Sequence, residues 1–385
     1  MPSKILAILI GLTLSALLSW WLIDRESEKS SPAITLLDGR EALFEFQKSQ
    51  MGKSSSDGAR RGELGHLILN ERVADVVFNI TKRGLIYDPL AYFKRPPFTR
   101  LKFKLKEHPA GVWHLNTNSL GLREDRELSP TQPDLRMFVT GDSHTDGVCE
   151  NFESYPHLLE DSIKAANPER TVEVLNGGVG GYSFYNYIGA FDLYKEYQMD
   201  AYIVGVYGGN DFLGVIGPHL YFQGKPIPQP IRDKAQVGAA KKINASALSQ
   251  GFFALSHFAT KPGDEALALH AASEVTLALA ERCKQAGVRL VIVYIPPVYD
   301  VLPDFESDET SKLREIFDLD DDEMKVTERQ ANAYLSSIRE VDIDVVDMRP
   351  SFKAAKEELY WRHDHHINLA GHRLIAEAIK PLFVK

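Results

Sequence analysis

Beyond residue 133 the chain alternates short apolar runs with longer stretches of helical period, and no other feature limits its fold as much. Met137-Phe138-Val139-Thr140, Val172-Glu173-Val174-Leu175, Tyr202-Ile203-Val204-Gly205-Val206, Leu290-Val291-Ile292-Val293-Tyr294 and Ile343-Asp344-Val345-Val346 each have the length and β-branched content of a buried strand. Between them, residues 155–166, 184–197, 264–285 and 326–339 repeat apolar side chains at helical spacing. Strands separated by helices predict a parallel sheet with helices on both faces, an α/β fold of three α/β/α layers around five strands. Ligands in such sheets bind beyond the carboxyl ends of the strands, near the switch in strand order.

The stretch before this region reads differently. Residues 5–23 are almost wholly apolar, follow Lys4, and end in Trp20 and Trp21 ahead of Asp24-Arg25-Glu26. That length spans a bilayer, so residues 1–25 are expected to form an N-terminal transmembrane signal-anchor. A cleaved signal peptide is the alternative, although no small-residue cleavage pattern follows the run. The bulk of the chain is then expected outside the cytoplasm, with the membrane as a partner through this helix. Residues 26–72 read as a polar linker and 73–130 as a small β-containing extension. Within that extension, Arg100-Leu101-Lys102-Phe103-Lys104-Leu105-Lys106 alternates with period two, as a strand with one wet face does.

Two insertions break the alternation. Residues 212–262 leave from the active end of the sheet and are a candidate lid, with a hairpin expected around Gly224. Residues 304–323 are acidic and lack the glycine of a calcium loop, which makes them a solvated charge run. A net charge of -9 without a basic cluster argues against nucleic-acid binding. Cys149 and Cys283 are too few for a disulfide scaffold, and either two buried thiols or one bridge fits them.

The chemistry-bearing residues lie at strand ends. The first strand runs into Gly141-Asp142-Ser143-His144-Thr145-Asp146-Gly147, which exposes a serine hydroxyl beside unpaired N–H groups at a helix start. By itself, Gly-Asp-Ser is an ordinary helix cap. The second strand ends in Asn176-Gly177-Gly178-Val179-Gly180-Gly181, the third in Gly208-Gly209-Asn210-Asp211. Together they supply a hydroxyl, a close-approaching backbone N–H and a neutral amide donor, the equipment that stabilises an oxyanion. Near the C-terminus, His363-Asp364-His365-His366-Ile367-Asn368-Leu369-Ala370-Gly371-His372 contains a histidine and a carboxylate to orient it. Its histidines raise a metal reading, but no second ligand cluster stands out, and neither metal nor cofactor is expected.

These four blocks, in this order, resemble the signature blocks of the SGNH hydrolase superfamily, the GDSL-like esterases and lipases. The resemblance covers about residues 135–381. Thr117-Asn118-Ser119-Leu120-Gly121-Leu122-Arg123 also resembles an Asn-x-x-Gly-x-Arg lead-in of many bacterial members. The resemblance implies a flavodoxin-like domain over residues 131–385, with Ser143 as nucleophile and its own N–H as one oxyanion donor. It further implies Gly181 as the second donor, with Gly178 and Gly180 as alternatives, and the Asn210 amide as the third. His366 matches the base and Asp364 the acid that orients it. Many members carry that acid three residues before the histidine, where this chain has His363; here it lies two before. His365 is then expected to tolerate replacement.

The activity implied is that of a serine esterase working through an acyl-enzyme on O-acetyl or short acyl esters of cell-surface glycans or lipids. Two other functions share the motifs. One is an O-acetyltransferase on extracytoplasmic polysaccharide, and the other a surface-binding protein that keeps the fold without turnover.

Overall fold

Parallel strands need both faces covered, and that requirement explains the unbroken apolar runs. In a computed structural model, which describes residues 69–78, 80, 84–225, 251–302, 308–339 and 341–384, those runs become one five-stranded parallel sheet. All of these residues belong to a unit that begins at Asp57. The main elements, in chain order, are α1 (Glu71–Phe78), β1 (Ile86–Asp88), β2 (Tyr92–Lys94), β3 (Arg100–Lys104), β4 (Val112–Asn116), β5 (Leu135–Gly141), α2 (Ser143–Asp146), α3 (Tyr155–Ala166), β6 (Val172–Asn176), α4 (Phe184–Tyr194) and β7 (Ala201–Tyr207). They continue with α5 (Asp211–Phe222), α6 (Phe253–Thr260), α7 (Pro262–Ala286), β8 (Arg289–Ile295), α8 (Asp308–Phe317), α9 (Val326–Ile338), β9 (Asp344–Asp347) and α10 (Leu369–Ile379).

The sheet order is β6-β5-β7-β8-β9, all parallel. This is the flavodoxin-like order, and its switch point lies at β5. Every residue of β5 and β7 is buried. On one face, Tyr155, Leu159 and Ile163 of α3 and Ile375 and Ile379 of α10 pack against Met137, Val139 and Ile203. On the other face, Phe184 of α4, Phe212 of α5 and Tyr334 of α9 meet at ring-centroid distances of 5.4–5.5 Å. The buried Glu173 of the edge strand β6 is held by Arg136 Nε of β5 at 2.6 Å, which compensates its burial.

The N-terminal extension forms two antiparallel pairs, β1 with β2 and β3 with β4. It is stitched to α4 through Asn186, whose Nδ2 donates to the Ala91 carbonyl, and to the loop before α4 through Tyr182, whose hydroxyl donates to the Phe93 carbonyl. The expected wet face of β3 is corrected, because all five of its residues are exposed. A two-stranded ribbon has no second layer to cover it. Phe103 therefore gains only a cross-strand stack on Trp113, at 4.3 Å, while β4 buries Trp113 and Leu115.

Two other expectations change. Residues 212–222 belong to helix α5 and form no hairpin strand: Phe212, Val215, Ile216 and His219 fall at helical spacing on its buried face. Gly224, at φ 71°, ends that helix in a turn. The acidic stretch contains α8, and Leu319 beyond it is buried. Both cysteines are buried and unpaired, so no bridge joins them. The expected anchor at 1–25 and all but residues 69–72 of the expected linker lie outside the described residues. Among the described residues, no helix is long and apolar enough to cross a membrane.

Candidate active site

The strand β5 delivers Ser143 to the sheet edge through Asp142, the N-cap of α2. One Asp142 oxygen accepts the His144 N–H at 2.9 Å, and the other accepts Asn210 Nδ2 at 3.1 Å. The aspartate of Gly-Asp-Ser thus ties the serine turn to the asparagine turn at the end of β7. Burial pushes the Asp142 carboxyl up to about 6, against the opposing pull of the His144 N–H, the His366 charge and the Asn210 amide.

The Asn210 turn is closed by its neighbour. Asp211, fully buried, accepts the Tyr207 N–H at 2.8 Å and the Tyr187 hydroxyl at 2.6 Å, which fixes the loop that presents Asn210 at the N-cap of α5. Burial holds its carboxyl well above the usual range, with the charge of Asp142 acting in the same direction.

Glycines bring the second loop against the serine. A side-chain carbon at Gly178 would lie 2.5 Å from the Asp146 backbone nitrogen, so only glycine fits there. The Gly178 N–H is already committed to Asn176 Oδ1 at 2.9 Å, and Gly181 stands at φ 88°. Among the described residues, the N–H groups of Ser143, Gly180 and Gly181 have no protein acceptor. Gly180 packs beside the serine, since a carbon built there would sit 3.7 Å from Ser143 Cβ. Of the three glycines considered from the sequence, Gly178 is thereby the one whose N–H is spent on the loop itself.

His366 Nε2 lies 2.8 Å from Ser143 Oγ, and its Nδ1 is hydrogen-bonded to Asp364. A further bond from the His366 N–H to Asp364 Oδ1, at 3.3 Å, locks the two-residue spacing. His363, at the three-residue position, is 77% exposed at its side chain and pairs with Glu107 at 3.0 Å. Burial lowers the affinity of His366 for a proton, but the charge and hydrogen bond of Asp364, with Asp142 and Asp146 behind them, outweigh it and raise its pKa. Asp364 is depressed for the reciprocal reason: burial favours its neutral form, but the charge and hydrogen bonds of His366 prevail.

The rest of the final block is structural. Asn368 caps α10 by accepting the Ala370 and Gly371 N–H groups. His372 Nδ1 accepts the Tyr155 N–H at 3.2 Å, and burial with the nearby Arg123 charge drives its pKa down to about 3, so it stays neutral. His365 is not the replaceable neighbour expected. It is 2% exposed and adopts φ 65°, with its N–H donated to the Trp361 carbonyl, so a larger or β-branched side chain there meets both packing and backbone strain.

Several further residues contribute contacts that the sequence does not specify. Arg95, from the loop after β2, forks onto Asp146 just behind the serine. The ring of His144 stacks on Tyr207 at 3.6 Å, and its Nδ1 accepts the Ile367 N–H at 3.4 Å, which holds the His366 segment over the serine turn. The wholly buried Arg123 of the lead-in donates to the carbonyls of Gly147 and Cys149 and to Asn151 Oδ1, and stacks over Trp113 at 5.3 Å. Its role is to hold the chain leaving α2. The far end of the 212–262 insertion also reaches the site: the Tyr299 hydroxyl donates to the Gly251 carbonyl beside Gly209, and Phe252 packs 6.1 Å from the His365 ring.

The four blocks thus converge at the carboxyl ends of β5, β6 and β7 and in the loop before α10. A family model described as "SGNH hydrolase-like domain, acetyltransferase AlgX" matches residues 251–382. Over those residues, about a third of the chain, the protein is similar to the SGNH hydrolase-like domain. The matched span holds Asp364 and His366 and begins after the other SGNH blocks. No curated protein matches the sequence. Solved structures similar to this chain include the lipase Lip_vut3 from a goat rumen metagenome, at 14% identity and a TM-score of 0.41 over 65% of this chain and 98% of that one. A catalytic mutant of an acetylxylan esterase from Geobacillus stearothermophilus gives 12% and 0.39 over 66% and 96%. The psychrotrophic esterase EstA from a Pseudoalteromonas species gives 15% and 0.33 over 64% and 96%. Similarity at this level says nothing of substrate.

Asn210→Ala is expected to lower kcat on an ester about 100 to 1,000-fold with little change in KM, as loss of one oxyanion donor does. Steady-state kinetics on the purified variant check it, and an unchanged kcat would remove Asn210 from the donor set.

Proposed function

We propose that this protein is a serine esterase that removes O-acetyl or short acyl groups from cell-surface glycans or lipids through an acyl-enzyme on Ser143. The observation that carries this reading is the continuous contact from Asp364 through the His366 ring to Ser143 Oγ. Asp364 keeps the proton on Nδ1, which leaves the Nε2 lone pair facing the serine hydroxyl. As Oγ bonds to the ester carbonyl carbon, His366 takes its proton, and the carbonyl oxygen becomes an oxyanion. The N–H groups of Ser143 and Gly181 and the second N–H of the Asn210 amide would receive it. Its first N–H is held by Asp142, which orients the amide at no cost during the reaction. His366 then protonates the leaving alcohol, and a water deprotonated by the same nitrogen releases the acid.

The cell-surface setting rests on the apolar run at residues 5–23, which would tether the domain to the membrane's outer side. A second reading has its own support. The matching family model carries an acetyltransferase in its description, and the Gly251–Phe252 end of the insertion sits beside Gly209 and His365, where it could shield the acyl-enzyme from water. In that reading a glycan hydroxyl accepts the acyl group.

The test is turnover of acetyl and longer acyl esters by the full-length protein across pH, with and without a glycan acceptor. His366 must be neutral to act, and its pKa is raised above the ordinary 6.5. The kcat/KM is therefore expected to fall on acidification through an apparent pKa above 6.5, a value that belongs jointly to His366 and the nearby Asp142. Turnover without that acid limb would contradict His366 as the base. Release of free acid marks the esterase, and acylated glycan marks the transferase.

A further inference from the structure

Away from the candidate active site, three ligand-type side chains meet between two helices. His219 comes from the last turns of α5, and His270 and Glu274, one turn apart, come from the facing side of α7. One ligand atom from each lies within 4.8 Å of the other two. The two imidazole rings stand at 83° with centroids 5.9 Å apart.

The three residues are not equivalent. His219 is 1% exposed, and its ring is fixed at both nitrogens. Nδ1 is 3.0 Å from the Tyr185 hydroxyl, and Nε2 accepts from Gln223 Nε2 at 2.7 Å. The proton therefore sits on Nδ1, held by the tyrosine oxygen, and Nε2 is the ring's acceptor, the atom a metal would take once the Gln223 amide turns aside. This is the outer-shell arrangement that orients a metal-binding histidine. His270 and Glu274 have side chains 68% and 44% exposed, 3.6 Å apart, and are free to turn inward.

We propose that His219, His270 and Glu274 form a binding site for a zinc-like divalent transition metal that clamps α5 to α7. Two imidazoles and one carboxylate are a ligand set that zinc accepts, at about 2.0–2.2 Å per bond. Tetrahedral binding needs donor separations of about 3.3 Å, which rotation of the two exposed side chains supplies. Gln223, rotated to present its amide oxygen, or a water completes the set. The clamp lies nine residues along α5 from Asn210, about 13 Å at helical rise, so it touches none of the Ser143 machinery. Residues 219 and 270 are too far apart in sequence for a spacing motif to reveal the site.

The experiment is titration of metal-stripped full-length protein with Zn²⁺ by calorimetry, and with Co²⁺ by visible absorption. The variant is the double change His270→Ala with Glu274→Ala, which removes only exposed side chains and leaves the core intact. The parent is expected to bind one equivalent of Zn²⁺ and to give the visible bands of low-coordinate Co²⁺, and the double variant to lose both. Tyr185→Phe should weaken binding about 10 to 100-fold, because His219 loses its orienting partner. A parent that takes up no Zn²⁺ overturns the proposal. So does a double variant that binds as the parent does, since the metal would then sit elsewhere, for example at the histidines of residues 363–366.

Discussion

Ser143→Ala is expected to abolish ester turnover, with kcat reduced about a million-fold, the size of loss seen when a triad nucleophile is removed. The loss is large because Oγ forms the bond that splits one difficult hydrolysis into two easier steps, and alanine leaves His366 with no proton to take. Ser143 is half-buried at the first position of α2, whose N-cap is supplied by Asp142. Replacing a hydroxymethyl by a methyl there disturbs neither cap nor core. The variant should therefore fold as the parent does, and melting curves beside the kinetics separate lost chemistry from lost structure. A folded Ser143→Ala protein that still turned over esters at the parental rate would place the nucleophile elsewhere.

Asp364→Asn is expected to lower kcat about 10,000-fold. An asparagine amide at that position can present an N–H to His366 Nδ1, which drives the ring proton to Nε2, the atom that must accept from Ser143. The charge of Asp364 is also what outweighs burial in raising the His366 pKa, so residual activity in the variant should show its acid limb at lower pH than the parent. His363→Ala is the control. That side chain is exposed and paired with Glu107, and its loss should leave kcat near the parental value. The reverse pattern, a silent Asp364→Asn and a damaging His363→Ala, would return the acid's role to the three-residue position.

The sheet is legible in the sequence because buried parallel strands cannot hide. Residues 137–140 and 202–206 are apolar without alternation, which only a sheet covered on both faces tolerates, and the helices between them carry the 3.6-residue period. The motifs are legible because each of the first three lies at the end of such a strand. Contacts that escape reading are those between residues distant in sequence. Nothing near Arg95 announces Asp146, and nothing near Gly251 announces Gly209, because those contacts arise only once β2 and the insertion fold back over the sheet edge. Tyr221-Phe222-Gln223-Gly224 reads as a turn between strands because glycine punctuates both hairpins and helix ends. The helical spacing from Phe212 onward is the better signal. The isolation of β3 is likewise invisible, since period-two alternation describes a pleat but not whether another layer covers it.

The most direct measurement is intact-mass analysis of the full-length protein and Ser143→Ala after exposure to a fluorophosphonate. Attack by Ser143 Oγ expels fluoride and forms a stable phosphonyl ester only if His366 takes the hydroxyl proton. One adduct per chain, mapped to Ser143 and absent from the variant, is the expected result. A folded parent that stays unlabelled, or an adduct that persists in Ser143→Ala, would contradict an activated serine at this position.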